Sequence, residues 1–216
     1  MALQNRVLPS GEIVADPARG TYTGNRGILH DAEQRLGRAR WTSKAWITCA
    51  LQHKGWHRQV MTPGTWTELF FLDEAVALAA GHRPCALCRR PAYEAYRRAW
   101  GGAPRAPAID AALHKARLNG RAQRRYQADC ASLPDGCLIL IGDQPHLILG
   151  PHALPYTPAG YRPATPRPQG PVVVMTPQPT VAVLAQGYTA DLHVTAQHLT
   201  GSDQRPAPGG TAGHHP

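Results

Sequence analysis

The sequence predicts an α+β fold assembled from short elements, and three observations carry that expectation. Gly and Pro each number 21 in 216 residues, so turns cut the chain into short segments. Only 2 Phe accompany 5 Trp and 7 Tyr, which leaves Leu, Val, Ile and Ala to fill the core. The longest aliphatic run is Leu138-Ile139-Leu140-Ile141, far below the roughly 20 residues of a membrane-spanning helix. The 43% hydrophobic content is enough to bury a core. Met1 to Pro9 lacks the basic stretch and apolar run of an export signal, so a soluble, cytoplasmic protein with no membrane partner is expected.

Taken in order, residues 1–20 are polar, are broken by Pro9, Gly11, Pro17 and Gly20, and read as a flexible arm. Ile28, Leu29, Ala32 and Leu36 fall at helical spacing and predict a short helix over 28–37. Residues 46–51 are aromatic and β-branched enough for a strand, with 57–61 returning as its hairpin partner across Lys54-Gly55. Leu69-Phe70-Phe71 predicts a buried strand; Asp73 then caps a helix over 74–80 that Gly81 stops. Pro91 suits the first turn of a helix running to Trp100 and the Gly101-Gly102 stop. Pro107 opens a longer helix reaching residue 128, with Gly120 as its weak point. Two apolar runs, 137–141 and 146–149, form a hairpin across Gly142-Asp143. Seven prolines between Pro151 and Pro171 predict an irregular extended loop. A strand over 172–175 follows, then a helix capped by Thr176, with Pro177 in its first position and Gly187 after its end. Residues 201–216 are poor in apolar side chains and predict a disordered tail.

The net charge of +9 is concentrated rather than dispersed. Eleven Lys or Arg lie between Arg83 and Arg125 against Glu94 and Asp110, whereas the rest of the chain carries twelve basic and twelve acidic residues. Such a segment is the electrostatic footprint of a polyanion partner, because neutralising each phosphate releases condensed counterions. The competing explanation is an arginine-rich solvated helix face. Nucleic acid, DNA rather than RNA, is the expected partner, with Arg83, Arg89, Arg90, Arg97, Arg98, Arg121, Arg124 and Arg125 as candidate contacts. Arg83 has a second possible role, bracing carboxylates within its own domain.

Five cysteines in a chain read as cytoplasmic point to metal or thiol chemistry rather than a disulfide framework. Cys85-x2-Cys88 lets one tight turn present two sulfur donors, and Cys49-x3-His53 supplies a second pair. Together they make an acceptable zinc site of three cysteines and one histidine. His30 and His57 are alternatives for the fourth ligand, and Cys130 and Cys137 are left without a role.

The stretch E-A-V-A-L-A-A-G-H-R-P-C-A-L-C, Glu74 through Cys88, resembles the zinc-binding domain of the Ada family of DNA-repair proteins, whose signature includes E-A-x-x-A-G-[FY]-R-P-C-x-x-C. The resemblance extends loosely back to Cys49 and covers about residues 49–91 only. It implies zinc ligation by Cys85 and Cys88, with Cys49 as the first upstream ligand and His53 in place of that family's second upstream cysteine. It also implies a DNA-backbone setting in which Cys49 is the position of a methyl-accepting thiolate. No Pro-Cys-His-Arg methyltransferase site and no helix-turn-helix accompany it. The expected organisation is therefore an arm (1–20), an Ada-like zinc-binding domain with basic helices (21–130), a β-rich lobe (131–200) and the tail.

One further cluster carries chemistry. Asn25, Arg26, His30 and Asp31 place an amide, a guanidinium, an imidazole and a carboxylate within seven residues. With His30 as general base and Arg26 on a phosphate or oxyanion, they could serve a hydrolase or nuclease, with Glu68 and Asp73 as possible carboxylate partners. The ordinary reading is a glycine-bracketed turn. Three functions are thus open: a zinc-binding DNA-associated protein in repair or processing, a hydrolase or nuclease centred near His30, or a zinc-stapled protein-interaction module.

Overall fold

A computed structural model describes residues 2–55 and 59–200. The expected tail and the candidate ligand His57 lie outside the described residues. In chain order the elements are β1 (Gln4–Val7), β2 (Ile13–Ala15), β3 (Tyr22–Asn25), β4 (Ile47–Ala50), β5 (Leu69–Phe71), α1 (Glu74–Ala79), β6 (Arg83–Pro84), α2 (Arg90–Trp100), α3 (Ala106–Arg117), β7 (Leu118–Asn119), β8 (Ala122–Gln123) and β9 (Tyr126–Asp129). They continue with β10 (Leu138–Ile141), β11 (Gln144–Leu149), β12 (His152–Thr157), β13 (Gly160–Tyr161), β14 (Thr165–Pro166), β15 (Pro171–Val174), α4 (Gln178–Ala185) and α5 (Val194–Thr200). Helices and strands are mixed along the chain, which agrees with the α+β class. Among the described residues no helix is long and apolar enough to cross a membrane.

Two sheets dominate. The first has the order β2-β1-β5-β3-β4-β6; the second runs β13-β12-β11-β10-β15-β9, with β14 on β12. β4 pairs antiparallel with β3, Thr23 opposite Cys49, and parallel with β6, Ile47 opposite Arg83. A continuous group of buried side chains joins Leu72, Val76 and Leu78 of the α1 region, Tyr96 of α2 and Ile109 and Leu113 of α3 to Leu138, Leu147, Leu154 and Val174 of the second sheet. The expected boundary at residue 130 therefore crosses the core instead of dividing it. Cys130 and Cys137 are fully buried in this core. Burial pushes the Cys137 thiol up to about 12, which suits packing and not nucleophilic chemistry.

Several elements depart from the sequence expectation for identifiable reasons. The expected arm supplies β1 and β2, because Val7 and Ile13 are buried in the first sheet's own cluster. Residues 28–37 form no helix: the Asp31 side chain accepts from the backbone N–H groups of Glu33 and Arg35, and Gln34 takes a left-handed φ of 60°. Local side-chain bonds of this kind compete with helix formation. β4 is flanked by β3 and β6, so the described part of the expected hairpin partner, 59–61, does not pair with it. The helix expected to reach 128 ends at Arg117, and Gly120, at φ 61°, turns the β7–β8 hairpin. The proline-rich segment carries β12 to β14, since proline removes a backbone donor and keeps its acceptor: the Pro155 carbonyl accepts from Arg162 N at 2.8 Å. Thr176 does not cap α4; its hydroxyl accepts from Leu138 N at 2.9 Å, and Pro177 occupies the cap.

Asp73 caps α1 as the sequence predicts, and it also reaches further. One carboxylate oxygen accepts from Val76 N at 2.9 Å; the other accepts from the Tyr161 hydroxyl at 2.9 Å and from His193 N at 3.0 Å. It thus ties α1 to the far end of the chain. Burial nevertheless raises its carboxyl to about 6 from an ordinary 3.8. The folded protein holds this proton more tightly than the unfolded chain, so the associated stability is full below about pH 4 and is lost as pH rises through about 6. Urea unfolding at about pH 4 and about pH 6.5 should show the wild type losing about 1–3 kcal/mol more than Asp73→Asn across that interval; equal losses would contradict the assignment.

Candidate metal centre

Parallel pairing of β4 with β6 builds this site. Trp46 O accepts from Arg83 N at 3.1 Å and Thr48 O accepts from Cys85 N at 2.9 Å, so the chain leaving β6 runs beside the end of β4. Cys85 is thereby set next to Cys49, and the turn into α2 brings Cys88 to the same point. The three sulfur atoms lie within 4.8 Å of one another. Zn–S bonds of about 2.3 Å in a tetrahedron place sulfurs about 3.8 Å apart, so the triad has the spacing to grip one ion.

The three thiols share hydrogen bonds and hold their protons unequally. The Cys49 and Cys88 thiols donate to Cys85, and the backbone N–H groups of Leu87 and Cys88 add to them, so Cys85 ionises far below the ordinary thiol range. Cys49, whose S–H donates toward the other two sulfurs, keeps its proton and is pushed up correspondingly. Three sulfurs sharing protons in a half-buried position are stabilised as thiolates once a metal replaces those protons. Three cysteines from two separate elements could therefore hold a metal ion.

The cluster borders a cavity of about 460 Å³ whose walls include Asn25, His53, Trp66, Glu68 and Leu87. His53 lines this cavity but is not among the residues whose donor atoms meet within 4.8 Å, so the described cluster consists of three cysteines without the expected histidine. His30 is elsewhere: its Nδ1 lies 2.7 Å from Thr67 Oγ1 and its Nε2 3.1 Å from Thr62 O. Both ring nitrogens are thus engaged, and His30 is neither a ligand nor a free base in this arrangement.

The expected Asn25 to Asp31 cluster does not assemble. Strand alternation sends Thr23 and Asn25 to the cysteine cavity, while Arg26 lines a different one with Trp46. Asp31 is exposed and bound to Arg35 at 3.2 Å. Asp73 is committed to the contacts above, and Glu68 Oε2 accepts from Met61 N at 2.7 Å.

The eight candidate arginines divide by burial. Arg83 forms a two-pronged bond to Asp110, 2.8 Å for each prong, and is buried. Arg89 is buried against Glu74 at 2.8 Å and lies 4.2 Å above the Tyr22 ring. Both brace the fold and are withdrawn from the surface. Arg97 donates to the carbonyls of Ala103 and Pro104 and pairs with Glu94, closing the end of α2. Arg90 is exposed and paired with Glu94 at 3.0 Å. Arg98, Arg121, Arg124 and Arg125 are exposed, and among the described residues none of them makes an ion pair.

Sequence reasoning missed Arg117. A signal for it exists, because Ile109, Leu113 and Arg117 share one helical stripe, and all are buried. Comparisons with protein-family models, curated proteins and solved structures find no match.

Breaking a buried pair leaves an uncompensated charge, so Arg83→Ala should cost about 3–5 kcal/mol in urea unfolding. Arg124→Gln should stay within about 0.5 kcal/mol. Similar small effects for both would return Arg83 to the list of surface contacts.

Proposed function

We propose that the chain is a zinc-binding, DNA-associated protein in which Cys49, Cys85 and Cys88 hold Zn²⁺ and the ion fixes a basic scaffold. The single observation that carries this reading is the convergence of three sulfurs from β4 and from the turn before α2. Sulfur-only donors favour Zn²⁺ over Mg²⁺ or Ca²⁺, which take oxygen. The resemblance of residues 74–88 to the Ada-type signature supports the same assignment. DNA association draws on the localised charge excess and on Arg98, Arg121, Arg124 and Arg125, which stand in solvent as phosphate contacts require.

In this reading the metal is a staple. It ties the end of β4 to the start of α2, the helix that carries Arg97 and Arg98. A metal-assisted hydrolase is the second reading, favoured by the cavity beside the cysteines and by the Glu68 carboxylate in its wall. Hydrolysis of a phosphodiester by the zinc-loaded protein, lost in Glu68→Gln with zinc retained, would decide for it.

Metal analysis of the purified protein should give one zinc per chain, falling to a small fraction in Cys85→Ser and Cys49→Ser and remaining in His53→Ala. Chelation should lower the unfolding midpoint, since metal binding energy is folding energy. Full zinc content in both cysteine variants would sink the site. Duplex DNA affinity should fall about 10²-fold between about 50 and about 200 mM salt if three to five phosphates are neutralised. An affinity flat across that range, or absent, would favour the zinc-stapled protein-interaction module.

A further inference from the structure

A second cavity, of about 480 Å³, lies where the β1–β2 turn, Arg26 after β3, Trp46 before β4 and the segment from Arg117 to Arg125 meet, and it is within the size range of small-ligand sites. Five arginines line it: Arg26, Arg40, Arg117, Arg121 and Arg125. Glu12 is its one carboxylate, and among the described residues none of the five arginines makes an ion pair.

Its floor is unusual in its charge. Arg26 is 1% exposed and Arg117 2% exposed, and their guanidinium carbons lie 3.9 and 3.7 Å from the centroid of the Trp46 ring. Arg26 donates from Nε to His82 Nε2 at 3.2 Å and from Nη1 to Gly11 O at 2.8 Å, while Nη2 has no acceptor. Arg117 donates to Gly81 O at 3.0 Å and Lys44 O at 2.9 Å, and its Nε has no acceptor. Carbonyls, imidazole nitrogens (His82 on Arg26, and His114 Nδ1 at 3.0 Å from Arg117 Nη2) and an aromatic face satisfy part of each group's hydrogen bonding and none of its net charge. Buried charges are ordinarily paired, because desolvation is costly. Arg83 and Arg89 obey that rule in this same fold; Arg26 and Arg117 do not. Burial drives the Arg117 guanidinium down to about 9, and the Arg26 group is lowered by burial and by Arg117 itself.

The rim completes the site. Arg121 and Arg125 are exposed and Arg40 half-buried, and Trp41 offers a half-buried indole whose ring centroid is 5.9 Å from that of Trp46. Guanidinium forks match phosphate oxygens in pairs, and an indole beside them is a stacking surface for a base. We propose that this cavity binds the phosphate group of a nucleotide, the rim arginines holding the oxygens over the buried pair and Trp41 stacking on the base. The site deepens the nucleic-acid reading by naming where one phosphate sits, and it rests on that reading for the choice of nucleotide as ligand. It requires nothing of the metal centre.

The test uses the whole chain in its zinc-loaded form, with binding followed by calorimetry and tryptophan fluorescence. The probes are inorganic phosphate, adenosine, adenosine 5′-monophosphate, and one short DNA strand made with and without a 5′-phosphate. The monophosphate should bind at least about tenfold more tightly than adenosine. A strand-end ligand further predicts about tenfold preference for the phosphorylated strand; a free-nucleotide ligand predicts binding of the monophosphate with no such preference. Arg117→Gln should abolish binding. Because Arg117 is a core residue, the deciding variant is the exposed pair Arg121→Gln and Arg125→Gln, which should fold normally and lose at least about tenfold in affinity. Trp41→Ala should weaken the monophosphate and leave inorganic phosphate unchanged. Equal affinity for adenosine and its monophosphate, or full affinity in the Arg121→Gln, Arg125→Gln protein, would overturn the proposal. Salt-dependent duplex binding alongside either result would leave the DNA reading standing without this site.

Discussion

The pairing of β4 with β6 is the constraint from which the rest of the structure follows. Two backbone hydrogen bonds, Arg83 N to Trp46 O and Cys85 N to Thr48 O, fix this short parallel contact. Its upstream end sets Trp46 against the ring of His82, 5.3 Å between centroids. Its downstream end sets Cys49 against Cys85. A shift of one residue along β6 would exchange the faces of Arg83 and Pro84 and carry Cys85 away from Cys49, since side chains alternate with a period of two. Two residues of β6 cannot hold register alone. The Arg83 fork on Asp110 anchors one end of the strand to α3, and Gly81, at φ 87°, admits Arg117 where a Cβ would come within 2.5 Å of its Cδ. The register is thus held by buried arginines on both sides of it.

Those arginines show why counting charge along a chain differs from locating it in space. Formal charge places an excess of +9 between residues 83 and 125, but the fold distributes that excess unevenly. Arg83 and Arg89 are cancelled at 2.8 Å by Asp110 and Glu74. In a low-dielectric interior such contacts are strong and also necessary, because the cost of desolvating a lone guanidinium exceeds what neutral hydrogen bonds return. Arg117 sits about two helical turns from Asp110 on α3, and that carboxylate is already held by Arg83. Geometry therefore leaves the second charge without a carboxylate.

Local features were legible in the sequence, and their local character is the reason. Asp73 capping at Val76, Gly81 ending α1, the turn at Gly142 and Asp143, and the Cys85 to Cys88 knuckle each act over a few residues, so spacing alone specifies them. The assignment of Cys49 needed a third cysteine brought in by sheet pairing, and its x3 spacing to His53 together with the Ada-type resemblance made it the candidate. Long-range choices were not legible. Nothing in the spacing says that Asp110 answers Arg83 or that Glu74 answers Arg89. The hydrophobic periodicity of α3 continues past Arg117 through Leu118, and a single Gly120 was too weak a signal to mark a hairpin. Residues 28–37 show the converse failure, in which good apolar spacing lost to the Asp31 side chain. His53 satisfies the x3 ligand spacing, but the chain leaves β4 after Ala50 and sets this residue in the cavity wall, outside the three-cysteine cluster.

The alternation of side chains along β3 and β4 and into the flanking Arg26 and Trp46 separates two cavities of opposite electrostatic character, which bears on how the proposed roles fit one chain. Thr23, Asn25, Ile47 and Cys49 face the sulfur cluster, whereas Arg26 and Trp46 face the arginine cavity. Three thiolates around a divalent ion would carry a net charge of about −1, so on the proposed reading the cysteine face would repel phosphate even with metal bound. The arginine face attracts it, with the field focused by a low-dielectric wall of indole and aliphatic carbon. An anionic ligand would therefore be steered away from the cysteines and toward the arginine cavity. On the proposed reading, a zinc ion at the cysteines would lie apart from the cavity that takes the phosphate. The register of β6 against β4 rests on its backbone bonds and on the buried arginines beside it, and that register holds Arg26, Trp46 and Arg117 at the spacing on which the positive face depends.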